Sequence, residues 1–266
     1  MGKGIVYAIT SGKGGVGKTT TTANVSTGLA AQGKKVAVID ADIGLRNLDV
    51  IMGLENRIVY DIVDVVEERV KLKKAMIRDK KYRDNLQLLA AAQTREKEAV
   101  SPEDMIKITA ELAKDFDYVF IDSPAGIERG FKNAIAGADE VIVVTNPEIS
   151  AVRDADRIVG LLEAAEKNMP QLIINRIRKD MVDRGEMLAV DDVIDLLGID
   201  LLGIVPDDES IITSANRGEP IVKTDNTRAG LAYQNIVKRI LGEKIPLLSL
   251  EEKRGILGKL VNIFKK

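Results

Sequence analysis

The sequence contains no cysteine and no histidine. The first absence excludes disulfides, thiolate zinc sites and cysteine-held iron–sulfur clusters. Together the two exclude every mechanism that needs a thiol or an imidazole. A metal ion bound here must be held by oxygen, which points to magnesium or calcium. A chain without thiols also fits a reducing compartment. Long hydrophobic runs are missing too: no stretch of eighteen apolar residues occurs, so no segment is expected to span a bilayer. The N-terminus runs from a short apolar stretch straight into glycines, without the core of a signal peptide. Excess positive charge is absent as well. The formal net charge of −2 does not mark a nucleic-acid binder.

What is present is 266 residues, 45% hydrophobic and 30% charged, ample for an α/β domain with a sizeable core. The charge is unevenly spread. Residues 251–266 hold five basic and two acidic side chains, which leaves 34 basic and 39 acidic in residues 1–250. An acidic body therefore carries a basic tail.

Short apolar runs at 5–10, 35–40, 86–90, 118–122, 140–145, 172–175 and 201–205 read as strands. Most are continuous rather than alternating, as expected when both faces of a sheet are covered. Amphipathic helix-length stretches lie between them at 17–32, 102–114, 151–167, 190–197 and 227–241. This alternation predicts an α/β fold with a doubly wound, mostly parallel sheet. The expected organisation is one domain over 1–242, a linker at 243–249 where Gly242 and Pro246 bracket a helix stop, and a C-terminal amphipathic helix at 250–266.

Gly12, Lys13, Gly14, Gly15, Val16, Gly17, Lys18 and Thr19 follow the first strand and open the first helix, matching G-x-x-x-x-G-K-[ST] in the context that phosphate loop requires. Glycines let backbone N–H groups turn inward around a phosphate, and the helix N-terminus adds a favourable dipole. Lys18 is then placed to neutralise β- and γ-phosphates and Thr19 to ligate Mg²⁺, with Thr20 a further nucleotide contact. Asp40 and Asp42 end the second strand at the sheet edge where doubly wound folds bind ligands, and their period-2 spacing puts both on one side of an extended segment. Asp122 ends another apolar run, as a Walker B aspartate does.

Lys13 inside the loop departs from the ordinary motif, since a loop already holding Lys18 has little need of a second cation. With it, the sequence resembles the deviant Walker A ATPases of the MinD/ParA family. The resemblance covers about residues 3–242. It extends through 42–49, 122–128, 145–154 and 214–220, where the Gly-Leu-Arg-Asn and Ser-Pro-Ala-Gly-Ile-Glu stretches favour the MinD branch, whose members position the division septum. The resemblance implies a P-loop ATPase using ATP and Mg²⁺, in which Lys13 reaches a partner's nucleotide in an ATP-dependent homodimer. It implies that Asp42 positions or activates the attacking water, that Asp40 and Asp122 support the magnesium, and that Arg46 and Asn47 form a switch segment. It implies adenine contacts at Asn175, Arg176, Pro206 and Asp207. It further implies recruitment of the division inhibitor MinC at the edge where 150–154 opens a helix, and stimulation by MinE where present.

The tail carries its own signal. Ser249 and Glu252 make a capping box. At 100° per residue, Ile256, Leu257, Leu260, Val261, Ile263 and Phe264 share an arc of about 160°, with Lys259 and Lys265 on the remaining face. That pattern suits an interfacial helix on anionic lipid, ordered only when lipid is present because Gly255 and Gly258 weaken it. One such helix binds weakly. Two on a dimer gain about 10²- to 10⁴-fold by avidity. The expected protein is thus an ATP-controlled switch, cytoplasmic and peripheral on the inner membrane face. A partition ATPase that binds DNA would need a basic body, and a small-molecule kinase would need a lid. A flagellar-number or placement ATPase of the same family is the nearer alternative.

Overall fold

The computed structural model describes residues 3–95, 99–224 and 226–250. Eight strands form one sheet: β1 (Ile5–Thr10), β2 (Val36–Asp40), β3 (Ile77–Asp79), β4 (Arg83–Leu89), β5 (Tyr118–Asp122), β6 (Glu140–Thr145), β7 (Gln171–Ile177) and β8 (Asp200–Pro206). Their order is β3-β4-β2-β5-β1-β6-β7-β8. All pairings are parallel except β3 with β4. The strand missed in the sequence is β3, three residues reading Ile-Arg-Asp with no apolar run to announce it.

The helices of the first half are α1 (Lys18–Ala31), α2 (Leu48–Ile51), α3 (Ile62–Val66), α4 (Leu72–Ala75), α5 (Pro102–Asp115) and α6 (Arg129–Ala136). Those of the second half are α7 (Ile149–Ala164), α8 (Lys179–Asp183), α9 (Val190–Leu197), α10 (Ser210–Asn216) and α11 (Arg228–Ile240). The periodic stretches gave α1, α5, α7, α9 and α11. Of the others, α2, α3, α4, α8 and α10 run four to seven residues, too short for a 3.6-residue period to be read, and α6 was missed although it is as long as α9. Where local chemistry is strong the boundary is sharp: Ser101 accepts the Asp104 N–H and Asp104 accepts the Ser101 N–H, a capping box ahead of Pro102.

Two apolar layers cover the sheet because alternate strand residues point to opposite faces. Val119 and Ile121 belong to one apolar layer with residues of α3, α4, α5, α6, α7 and α9. Phe120, between them, belongs to the opposite layer with residues of α1, α2 and α11. This sandwich buries β1 at the centre and delivers its C-terminal end, with those of β2 and β5, to one edge.

After α11 the chain has no helix or strand through Leu250. The stretch read as a linker is nonetheless held down. Arg239 donates to the Ile245 carbonyl at 2.7 Å and Arg228 to the Ser249 carbonyl at 2.8 Å. Leu248 and Leu250 pack against the core. The expected membrane-facing residues Ile256, Leu257, Lys259, Leu260, Val261, Ile263, Phe264 and Lys265 lie outside the described residues. Among the described residues, no helix is long and apolar enough to cross a membrane.

Candidate nucleotide and magnesium site

The glycine loop joins β1 to α1 at the centre of the sheet edge. Gly17, just before the helix, has φ 99°, in the left-handed region where a side chain is strained. A Cβ there would also stand 2.2 Å from Asn175 Nδ2, so the residue is doubly constrained. Gly12 lets the start of the loop lie against α7, where a Cβ would meet the Asp154 carbonyl oxygen at 2.2 Å. The first turn of α1 has no capping side chain and no acidic residue. Its N–H groups and the positive end of its dipole are thus left for an anion.

The two loop lysines part company. Lys18 is the only buried lysine or arginine among the described residues, and its Nζ donates to Ser11 Oγ at 2.9 Å. Burial lowers its pKa, and the nearby Asp122 and Asp42 carboxylates oppose that shift. Lys13 turns outward. Its Nζ donates to Ser150 Oγ at 3.2 Å and lies 3.5 Å from Glu148 Oε2, with the side chain 43% exposed.

Asp40 and Asp122 stand opposite each other in the β2–β5 register, and both are buried. Asp40 accepts the backbone N–H groups of Asp42 at 3.0 Å and Leu48 at 3.3 Å. Asp122 accepts from Thr22 Oγ1 at 2.9 Å and from the Thr19 hydroxyl. Burial pushes both carboxyls above the ordinary range. Mutual repulsion adds to this at Asp40, while Thr19, Lys18 and Thr22 partly counter it at Asp122. Two desolvated carboxylates with one lysine nearby are short of positive charge, and a divalent cation would supply it. No group of three acidic residues forms a metal cage among the described residues. That suits Mg²⁺, which takes few protein ligands and completes its shell with phosphates and water. Asp42, two residues beyond the strand, bears electrostatically on both Lys18 and Asp122. Its carbonyl receives the Arg46 N–H at 3.3 Å. Arg46, at φ 42°, pairs with buried Asp49 at 3.0 Å, while Asn47 precedes α2 without capping it.

On the other side of the loop, Asn175 Nδ2 donates to the Val16 carbonyl at 2.7 Å, and its Oδ1 is buried without a partner. The end of β7 is thereby tied to the phosphate loop, and one acceptor remains for an incoming donor. With its amide nitrogen facing the carbonyls, Asn146 donates to Val16 O and Asn175 O, each at 3.3 Å. Arg176, exposed at φ 56°, and Asp207, exposed after Pro206, sit on neighbouring strand ends where the Asp207 N–H donates to the Ile177 carbonyl at 3.0 Å. Arg176, Asp207 and Asn146 line one cleft of about 840 Å³. Thr20 is half-buried, and its carbonyl receives the Asn24 amide at 2.8 Å.

Sequence reading did not single out Ser11, Thr22, Asn146 or Asp49. Only Thr22 left a signal: it falls one turn after Lys18 and so shares its helix face.

The CobQ/CobB/MinD/ParA nucleotide binding domain family matches residues 7–221, a span that contains every element of this site. The chain belongs to the MinD branch of that family. It is 56% identical to the septum site-determining protein MinD of Bacillus subtilis, over 99% of this chain and 98% of that one. The MinC:MinD cell division complex of Aquifex aeolicus matches with TM-score 0.86 and 49% identity, over 93% of this chain and all of that chain. The Pyrococcus horikoshii MinD complexed with Mg-ADP matches with TM-score 0.81 and 28% identity, over 91% and 99%. As a MinD-branch protein the chain is an ATPase that acts in septum site determination.

Proposed function

We propose that the chain works as a Mg²⁺-dependent switch that dimerises on ATP, docks through its tail on anionic membrane and recruits MinC, with hydrolysis stimulated by MinE where that partner exists. The observation that carries this reading is the divergence of the loop lysines. Lys18 is buried inside the loop, whereas Lys13 lies outside it against Glu148 and Ser150, on a surface a second subunit can reach. MinC recruitment is supported by the Aquifex relative, solved with MinC. Binding of Mg²⁺ with nucleotide is supported by the Pyrococcus relative, solved with Mg-ADP.

In this reading the loop N–H groups, with Gly12 through Thr20, hold the phosphates, and Lys18 neutralises them. Thr19, Asp40 and Asp122 would hold Mg²⁺, which when bound would offset the negative charge of the phosphates. Asp42 orients the attacking water and takes its proton. Asn175 presents Oδ1 to the adenine amino group, and Arg176, Pro206 and Asp207 frame the base. Lys13 exchanges its Glu148 contact for the partner's phosphates. That exchange is cheap, because exposed ion pairs contribute only about 0–1 kcal/mol.

Co-sedimentation with anionic vesicles, with ATP against ADP, tests the reading. The full chain is compared with one ending at Leu250, which keeps the docked Leu248 and Leu250. ATP-dependent pelleting that disappears on truncation supports the switch. Pelleting that ignores nucleotide, or survives truncation, overturns it.

A further inference from the structure

The two edges of the sheet carry opposite charge. Between residues 69 and 83 the sequence places eight lysines and arginines, all exposed, against one acidic residue, Asp79, which is buried. These residues build α4, edge strand β3 and the turn into β4. At the far edge, the stretch from 186 to 200 holds five exposed acidic residues and no basic one, most of them on α9 ahead of β8. An acidic body with so localised a basic edge is not explained by the nucleotide site, which lies between the two.

Each edge also has an apolar feature. On the basic side Val59, Tyr60 and Met76 line a groove of about 610 Å³ rimmed by Lys73, Lys74 and Arg78. Val59 is 78% exposed, and Lys74 stands 5.2 Å over the Tyr60 ring. On the acidic side α9 presents Asp191, Asp192, Asp195 and Leu196 outward, with Leu196 59% exposed among the carboxylates. Its other face buries Val193 and Leu197. Helices α3, α4 and α9 all pack in the same apolar layer, on one face of the sheet. A translation along the strand order therefore brings α9 of one molecule to the groove of the next.

We propose that the β3–α4 groove is a docking surface for a second copy of this chain, which inserts Leu196 between Val59 and Tyr60 and sets its α9 aspartates against Lys73, Lys74 and Arg78. The contact is heterologous: the groove and the knob are different surfaces, so it propagates head to tail instead of closing. It is distinct from a face-to-face ATP dimer, and only its exclusion of lipid rests on the proposed docking of the tail on membrane. Strand addition at β3 is disfavoured, because Arg57 Nη1 already donates to the edge carbonyl of Arg78 at 3.0 Å. A lipid surface is disfavoured by position. The chain leaves the described structure beside Arg228 and Asp207, at the β8 edge. The groove is seven inter-strand steps away, roughly 34 Å.

The test is sedimentation velocity of the full chain with ADP, over a concentration series at about 50 mM and about 500 mM salt, which spans weak to strong screening. The wild type is expected to grow in average size with concentration at low salt only. Lys73→Glu/Lys74→Glu and Asp191→Lys/Asp195→Lys each place like charge on both partners, and each alone should weaken association by about tenfold or more. Mixed together the two variants are complementary at both contacts, so association returns; Leu196→Ala weakens it without altering charge. Thermal unfolding identical to wild type confirms that the exposed substitutions leave the fold intact. A wild type of constant size, or a mixture that fails to associate, overturns the proposal. Equally decisive against it is a groove reversal that abolishes binding to anionic vesicles or to DNA while leaving self-association unchanged.

Discussion

Replacing Asp122 with asparagine isolates the electrostatic cost of assembling the magnesium site. Asp40 and Asp122 are adjacent, buried and served by a single nearby lysine; burial raises both carboxyls, repulsion by Asp122 adds to this at Asp40, and Thr19, Lys18 and Thr22 partly counter it at Asp122. A carboxyl whose folded pKa exceeds its unfolded one binds more protons in the native state over the interval between the two values. Stability must then fall as pH rises through that interval, by about 1.4 kcal/mol per pH unit for each retained proton. One proton held over about two units costs the metal-free protein roughly 3 kcal/mol by neutral pH. The amide introduced by Asp122→Asn would still accept from Thr22 and could donate to Asp40, so the repulsion disappears without leaving a cavity. Urea unfolding in EDTA between about pH 5 and pH 8 measures this linkage directly. The wild type should lose stability across that range. The Asp122→Asn variant should be flatter and the more stable of the two at the upper end. Mg²⁺ with ADP should remove the wild-type decline, because the cation favours both ionised forms. Parallel curves for the two proteins without metal would refute the reasoning.

Other consequences are equally specific. Lys13→Ala should leave thermal stability unchanged, since its exposed contacts at 3.2 and 3.5 Å contribute only about 0–1 kcal/mol, while abolishing ATP-dependent dimerisation measured by light scattering. Gly17→Ala should destabilise the metal-free protein by about 2–4 kcal/mol in urea unfolding. That sum combines a strained left-handed residue with loss of the buried Asn175–Val16 hydrogen bond. Asn175→Ala, which keeps Gly17 relaxed, should cost about 0.5–1.5 kcal/mol by removing the shorter of the two hydrogen bonds to the Val16 carbonyl, and should weaken nucleotide binding in a fluorescent-nucleotide titration. Phe120→Ala should cost about 3–5 kcal/mol, because its ring is fully buried and stacks on Tyr7 at 5.4 Å between centroids.

Sequence alone determined what depends on neighbours along the chain. The glycine loop, its lysine and its threonine are contiguous, and the buried parallel strands announce themselves as apolar runs. The strand-end positions of Asp40 and Asp122 follow from those runs. Helices of thirteen residues or more were legible for the same reason, and so was the charge contrast between body and tail. Tertiary structure decided whatever depends on register and packing between distant segments. The β2–β5 pairing sets Asp40 against Asp122, though they lie far apart along the chain. Asn175 meets Val16 across 159 residues. Lys18 folds inward to Ser11 while Lys13 turns out to α7, a division of roles that the residue types do not encode. Strand β3 and the short helices carry too few residues for a pattern and are stabilised by the layer they complete. The same packing put a basic groove and an acidic helix at opposite edges of one sheet, because strand order is a property of the folded chain.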